Sequence, residues 1–403
     1  MARILFSGGS VFDGTGAPPV RADVVVEDGR FVALGPGLDA DQAIDVTGRT
    51  LLPGLFDCHT HVVISHVDVW RTLNTPFSYP FYEAVRNLAA TLRLGITTVR
   101  DAGGADLGVK QAVADGLIPG PRLQISLTML SQTGGHGDDW LPSGSRAPLL
   151  PVHPGVPSGI VDGPEEMRRK VRELVMMGAD QIKVATTGGV LSPRDDPRHG
   201  HFRDDELAVL VAEANAAGIH VMAHAQGAPG IKAAIRAGIR SIEHGIYLDD
   251  EAIELMLARG TYLVPTLVAP QGVLDAAEAG APLPEAIVAK ARAVVDVHRD
   301  AFRRAVGAGV RVAMGTDSGV TPHGRNLREL VLMAEGGMSP AEVLVATTRT
   351  SAELLGLDRE LGTIEPGKRA DLVVVDGDPF AFETLPERIA AVFQDGRLVA
   401  GAI

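Results

Sequence analysis

Five short segments, far apart in the chain, each carry a residue type that can take part in binding a divalent metal: Asp57-Cys-His-Thr-His61, Gln181-Ile-Lys-Val184, Met222-Ala-His-Ala225, Ile242-Glu-His-Gly245 and Gly315-Thr-Asp-Ser-Gly319. Together they could carry out metal-assisted hydrolysis. His59 and His61 stand at i and i+2, so on a strand their imidazoles share one face and can share one small ion. His224 and His244 each close an apolar run and offer nitrogen ligands suited to zinc or a similar ion. Asp317 offers a carboxylate that can touch a metal and accept a proton from water. Lys183 also ends an apolar run, where an unpaired ammonium would be costly. A neutral lysine there can take up carbon dioxide, and the carbamate's two oxygens could bridge two metals; a salt bridge to a neighbouring acid is the alternative. Singly, each of these residues is ordinary. Five of them in order, at intervals the size of a strand plus a helix, describe the mouth of a barrel.

The elements needed to position them can be found in the sequence. Eight β-branched apolar runs are predicted as strands: Leu51–His61, Thr97–Asp101, Arg122–Ser126, Gln181–Thr186, His220–His224, Ser241–His244, Tyr262–Thr266 and Arg311–Gly315. Amphipathic stretches lie between them, for example Glu165–Met177, Asp204–Ala217, Pro229–Ala237 and Asp250–Arg259. This alternation predicts an α/β fold, a (β/α)8 TIM-like barrel over residues 53–358. In such a barrel active residues gather at the C-terminal ends of the strands, where all five segments fall. Short alternating runs with Asp-Gly turns occupy both chain ends, so residues 1–52 and 359–403 are expected to pair into one small β-sandwich.

Composition narrows the function further. A chain of 403 residues that is 45% hydrophobic can bury a large core. A formal charge of −13 without any Lys/Arg run argues against nucleic-acid binding. No apolar stretch approaches a membrane span and the opening run is too short for a signal peptide, so a cytoplasmic location is expected. The single cysteine, Cys58, excludes an intramolecular disulfide, fits a reducing compartment and is expected to be a packed thiol facing away from His59.

Several loop residues could meet a substrate. Trp70, Phe77, Tyr79, Phe81 and Tyr82 are five of only 17 aromatic residues and follow the first metal-bearing segment, as a pocket wall, a lid, loop packing or an oligomer contact. Arg194, Arg198, Arg203 and Arg325 could each hold a substrate carboxylate through paired hydrogen bonds, although surface arginines are commoner. His66, His201 and His323 lie in loops that could approach a substrate, whereas His153, His199, His220 and His298 are expected to be structural or solvated. Gly188-Gly189 is explained by a tight turn, since no phosphate-loop pattern accompanies it.

Taken together, these residues resemble the amidohydrolase superfamily, in its binuclear branch with a carboxylated lysine. The resemblance runs from Val11-Phe-Asp-Gly to Gly367-Lys-Arg-Ala-Asp-Leu-Val-Val-Val375. Asp101-Ala-Gly-Gly104, Thr133-Gly-Gly-His-Gly-Asp138 and Ser241-Ile-Glu-His-Gly245 look most like Xaa-Pro dipeptidases, related carboxypeptidases and ochratoxinase-like members. The resemblance implies two divalent ions, zinc first. His59 and His61 would hold the buried one and His224 and His244 the more exposed one, with the Lys183 carbamate between them and Asp317 completing the buried site. It also implies an amide or peptide substrate of small size, a bridging hydroxide as nucleophile, catalytic roles for Asp317, His136 and His244, and a homo-oligomer. His136 would hydrogen-bond the developing oxyanion; holding a turn is its alternative. Peptidase relatives often carry a tyrosine in the loop after strand 4. His199-Gly-His-Phe-Arg-Asp-Asp-Glu-Leu207 has none, which leaves Tyr247 as a stand-in or points to another substrate, such as a carbamate, urea, cyclic amide or ester.

Overall fold

The computed structural model describes residues 3–148, 153–192 and 194–403, so the chain-end unit is described from Arg3 onward. The two chain ends do pair. A six-stranded sheet joins Ser10–Val11, Val20–Arg21 and Arg49–Pro53 to the C-terminal strands Leu372–Asp376, Ile389–Gln394 and Arg397–Gly401. Leu372–Asp376 runs antiparallel to Arg49–Pro53 with Val374 opposite Leu51. A four-stranded sheet holds Ile4–Ser7, Asp23–Glu27, Arg30–Gly35 and Gln42–Asp45. Phe6, Val24 and Phe31 of this sheet share one apolar cluster with Leu51, Val374 and Phe393 of the other. Period-two alternation of β-branched residues is what lets each sheet turn one apolar face to its neighbour.

Leu51–His61, predicted as one strand, is divided at Gly54. Pro53 ends the terminal strand, and a Cβ at Gly54 would overlap Thr97 and crowd Asp371, so the chain can pass between the two layers only without a side chain there. It then enters a parallel series: β1 (Leu55–Thr60), β2 (Ile96–Asp101), β3 (Arg122–Ile125), β4 (Gln181–Ala185), β5 (His220–Ala225), β6 (Ser241–His244) and β7 (Tyr262–Val264). β1 pairs with β2 and β2 with β3; β4 through β7 pair in sequence, all parallel. A short continuation of β3, Met129–Leu130, pairs with Lys183 and Val184 of β4. The expected eighth strand, Arg311–Gly315, is not regular. It makes a single bridge from Val312 to Leu263, yet its backbone still links β7 to β1. Leu263 N donates to Arg311 O at 2.9 Å, and Cys58 N donates to Met314 O at 2.8 Å. Regular pairing stops where Gly315 approaches His59 and Val264 too closely for any side chain.

Helices Tyr79–Arg93, Leu107–Ala114, Pro164–Met176, Asp204–Ala216, Ala228–Ala237, Asp250–Arg259 and Glu285–Ala308 follow the seven strands in turn. The four helices predicted from the sequence agree to within a residue at each end. Proline in the first turn starts Pro164–Met176 and Ala228–Ala237, and left-handed Gly238 and Gly260 close two of the helices. Strand alternation sorts the side chains: Ile182, Val184, Val221 and Ala223 pack with Leu207, Leu210 and Ile231 of the helices, so Lys183 and His224 face the opposite way. Cys58 lies with Leu354 and Leu355 in an apolar cluster, and burial pushes its thiol up to about 12, as befits a packing residue. No helix among the described residues is long and apolar enough to cross a membrane.

Candidate functional site

The C-terminal ends of β1, β4 and β6 and the Asp317 turn converge. His59 Nε2 lies 3.2 Å from Lys183 Nζ and 3.4 Å from Asp317 Oδ1, and His61 Nε2 lies 3.2 Å from the same carboxylate oxygen. His59, His244 and Asp317 each place a ligand atom within 4.8 Å of the others. His224 joins through its ring, 4.7 Å from that of His244 between centroids. Two of these residues need unusual backbone: His244 at φ 72° and Asp317 at φ 59° are non-glycine residues in the left-handed region. For His244 this conformation brings the ring to a cluster that simple alternation from Ile242 would deny it.

The donor set fits a divalent cation. Three rings are fixed by a hydrogen bond at Nδ1, which leaves Nε2 for coordination: His59 to Glu243 Oε2 at 2.8 Å, His61 to Gly103 O at 2.8 Å and His244 to Thr266 Oγ1 at 2.7 Å. His224 is fixed the other way round, Nε2 to Gly188 O at 3.1 Å, leaving Nδ1. Burial holds His224 and His244 well below the ordinary histidine value, so both are neutral, as ligands must be. Burial also lowers Lys183 to about 8 against the opposing pull of Glu243 and Asp317, so its amine loses its proton far more readily than a free lysine.

Beneath these ligands lies a buried polar layer whose roles were not read from the sequence. Burial alone would raise Glu243, but Arg100 and then His59 outweigh it and hold the carboxyl at about 2. Arg100 Nη2 donates to Glu243 Oε1 at 2.9 Å, and both side chains are almost fully buried. Removing one partner of such a pair costs about 3–5 kcal/mol. Arg100→Met is therefore expected to lower the stability by roughly that amount, seen as a reduced denaturant midpoint; an unchanged midpoint would mean that Glu243 finds another partner. Asp57, pushed up to about 6 by burial, accepts from Thr316 Oγ1 at 2.6 Å and Asn326 Nδ2 at 2.9 Å, tying β1 to the segment bearing Asp317.

Glu329 supports the Thr266 turn, accepting from Leu267 N at 2.7 Å and Val268 N at 2.8 Å, and burial pushes its carboxyl up to about 8. Its folded value lies above its unfolded value of about 4.3. Its contribution to stability is therefore complete below the unfolded value and lost as pH rises through about 8. Melting temperature is expected to fall as pH rises from about 5 to about 8, and to fall less in Glu329→Gln; parallel curves in calorimetry would assign the titration to another group.

The remaining candidates are dispersed. His136 stacks on His224 with centroids 4.1 Å apart and planes 21° apart. Tyr247 packs, half-buried, against the cluster of Val190, Ile246 and Val273. His323 turns Nε2 to the carbonyls of His61 and Ile64, at 3.2 and 3.0 Å, and so supports the first ligand segment from behind. Arg194 is exposed, donates to the Trp140 carbonyl and lies over that indole at 4.9 Å. Arg203 is exposed at the start of the helix Asp204–Ala216, Arg198 pairs with Asp196, and Arg325 is exposed. Trp70, Phe77 and Tyr82 are 69%, 66% and 71% exposed, while Phe81 packs against the His153 ring at 5.3 Å. His298 proves structural, donating from Nε2 to the His244 carbonyl at 2.8 Å.

Comparison with known proteins covers nearly the whole chain. The model of the Amidohydrolase family matches residues 50–399. Ochratoxinase of Aspergillus niger is 35% identical over 98% of this chain and 86% of the relative. A Xaa-Pro dipeptidase crystallised with methionine in its active site superposes with a TM-score of 0.89 at 34% identity, covering 98% of this chain and 99% of that one. A prolidase complexed with N-methylphosphonate-L-proline superposes with a TM-score of 0.90 at 35% identity, covering 99% and 100%.

Proposed function

Because this chain belongs to the amidohydrolase family, we propose that it is a metal-dependent hydrolase of amide C–N bonds, acting on dipeptides or N-acyl amino acids. The convergence of His59, His61, Lys183, His244 and Asp317 within hydrogen-bond or near-contact distance carries the proposal. In this reading His59, His61 and Asp317 hold one divalent ion, zinc first, and His224 and His244 hold a second. The Lys183 amine, on adding carbon dioxide with release of one proton, would offer a carbamate as a further oxygen ligand for these ions. When bound, the metals supply Lewis acidity toward the scissile carbonyl and lower the pKa of water.

The chain's own residues do the rest. Asp317 accepts the proton of the attacking water and delivers it to the departing nitrogen. His136, stacked beside His224, steadies the oxygen on which charge develops. Glu243 and Gly103 keep His59 and His61 from rotating as that charge moves. The parallel series β1 to β7 with the Arg311–Gly315 segment is read as a (β/α)8 barrel over residues 53–358. The two terminal sheets are read as one β-sandwich of residues 1–52 and 359–403, and their shared apolar cluster supports this.

The arginine placements favour a second reading on the same centre, hydrolysis of carbamates, ureas, cyclic amides or esters. Arg194 and Arg198 are engaged with Trp140 and Asp196, and Arg203 and Arg325 are exposed, so none of the four is a buried guanidinium held as a carboxylate clamp. A screen of zinc-loaded protein against dipeptides, N-acyl amino acids, aryl carbamates and ureas separates the two. Release of a free amino acid supports the first; turnover confined to the other classes replaces it with the second.

A further inference from the structure

The loop after β4 is tied into a knot around His136. His136 Nδ1 lies 2.7 Å from Ser192 Oγ and 3.6 Å from Asp195 Oδ2. Ser192 Oγ in turn donates to Asp195 Oδ1, and both Asp195 oxygens accept from Gly189 N at 3.3 Å. A serine hydroxyl that donates to a carboxylate presents its lone pairs outward, so it accepts from His136 Nδ1–H. Burial opposes ionisation of Asp195, but the bonds from His136, Ser192 and Gly189 outweigh it and keep the carboxyl charged.

Two further contacts leave the ring little freedom. On one face it stacks on His224. Its edge lies against Gly189, where a Cβ would overlap ring atoms Cε1, Nδ1 and Nε2, so only glycine admits the ring in this position. From another element, Lys290 of the helix Glu285–Ala308 reaches across with Nζ 3.0 Å from Gly189 O, 2.8 Å from Ser192 O and 3.3 Å from Asp195 Oδ1, and also donates to the Asp195 carbonyl. A lysine has three protons to donate, and here all can be directed into one loop. No hydrogen bond to His136 Nε2 occurs among the described residues.

We propose that Lys290, Asp195 and Ser192 are positioning residues for His136: the relay holds Nδ1 as a donor, the lysine staples the loop that carries the relay, and Nε2 is left to meet the substrate. The last clause rests on the function proposed above; the relay itself does not. The same contacts join the loop after β4 to the helix Glu285–Ala308.

The test uses purified full-length protein with two readouts, the ring-nitrogen resonances of His136 in long-range ¹H–¹⁵N spectra, assigned with His136→Asn, and steady-state hydrolysis. Lys290→Met is expected to shift the His136 resonances away from those of a ring whose Nδ1–H is held in place and to lower kcat/KM by about 10- to 100-fold. Metal content should not change. Ser192→Ala, which deletes one hydroxyl, should do the same and decides the matter if Lys290→Met does not fold. Unchanged His136 resonances in the folded variants would overturn the proposal. Shifted resonances with wild-type kinetics would uphold the positioning and instead overturn the role of His136 toward substrate.

Discussion

Lys183→Ala is expected to abolish hydrolysis and most metal binding together. The lysine is fully buried among His59, Glu243 and Asp317, and its amine is already shifted toward the neutral form that carbamate formation needs. Without it the two proposed ions lose their only shared ligand from the chain, and the several kcal/mol of transition-state stabilisation that metals supply go with them. The expected fall in kcat/KM is at least about 10³-fold. Added short-chain carboxylates with metal should restore part of it, because acetate or propionate can occupy the cavity left by the side chain and offer two oxygens. Wild-type rates in Lys183→Ala without added acid would remove the carbamate from the mechanism and return Lys183 to the ion-pair alternative.

Asp317→Asn should separate binding from turnover. The amide keeps one oxygen near His59 and His61 but has no basic lone pair strong enough to take a proton from water. Metal content should therefore fall modestly while kcat falls by about 10²- to 10⁴-fold, the usual contribution of a positioned general base. Burial would raise Asp317, but His59 and His61 hold it well below the carboxylate range, so it is ionised at working pH. Equal losses of metal and turnover would make Asp317 a ligand only.

The parts of this centre that were legible in the sequence are those set by local pattern. His59, His61, Lys183 and His224 could be placed because period-two alternation beside Ile182, Val184, Val221 and Ala223 sorts a strand's side chains without knowledge of the rest of the fold. The helices agreed because proline, glycine and acidic first turns mark their ends. Arg100 and Glu243 escaped because they meet across 143 positions of sequence, and nothing local marks a buried arginine. A glutamate in a buried strand, one residue before a ligand histidine, was the available signal. Asp195 and Lys290 escaped for the same reason. The irregular segment at Arg311–Gly315 was hidden because Gly315 is pressed against Val264 and His59, which lie far from it in sequence.

The most direct test is the metal content of the purified protein, measured by inductively coupled plasma mass spectrometry alongside hydrolytic activity before and after chelation. The account predicts about two divalent ions per chain, loss of activity when they are removed and recovery when zinc is returned. Full activity in protein stripped of metal, or failure to bind any divalent ion when it is supplied, would contradict the central claim.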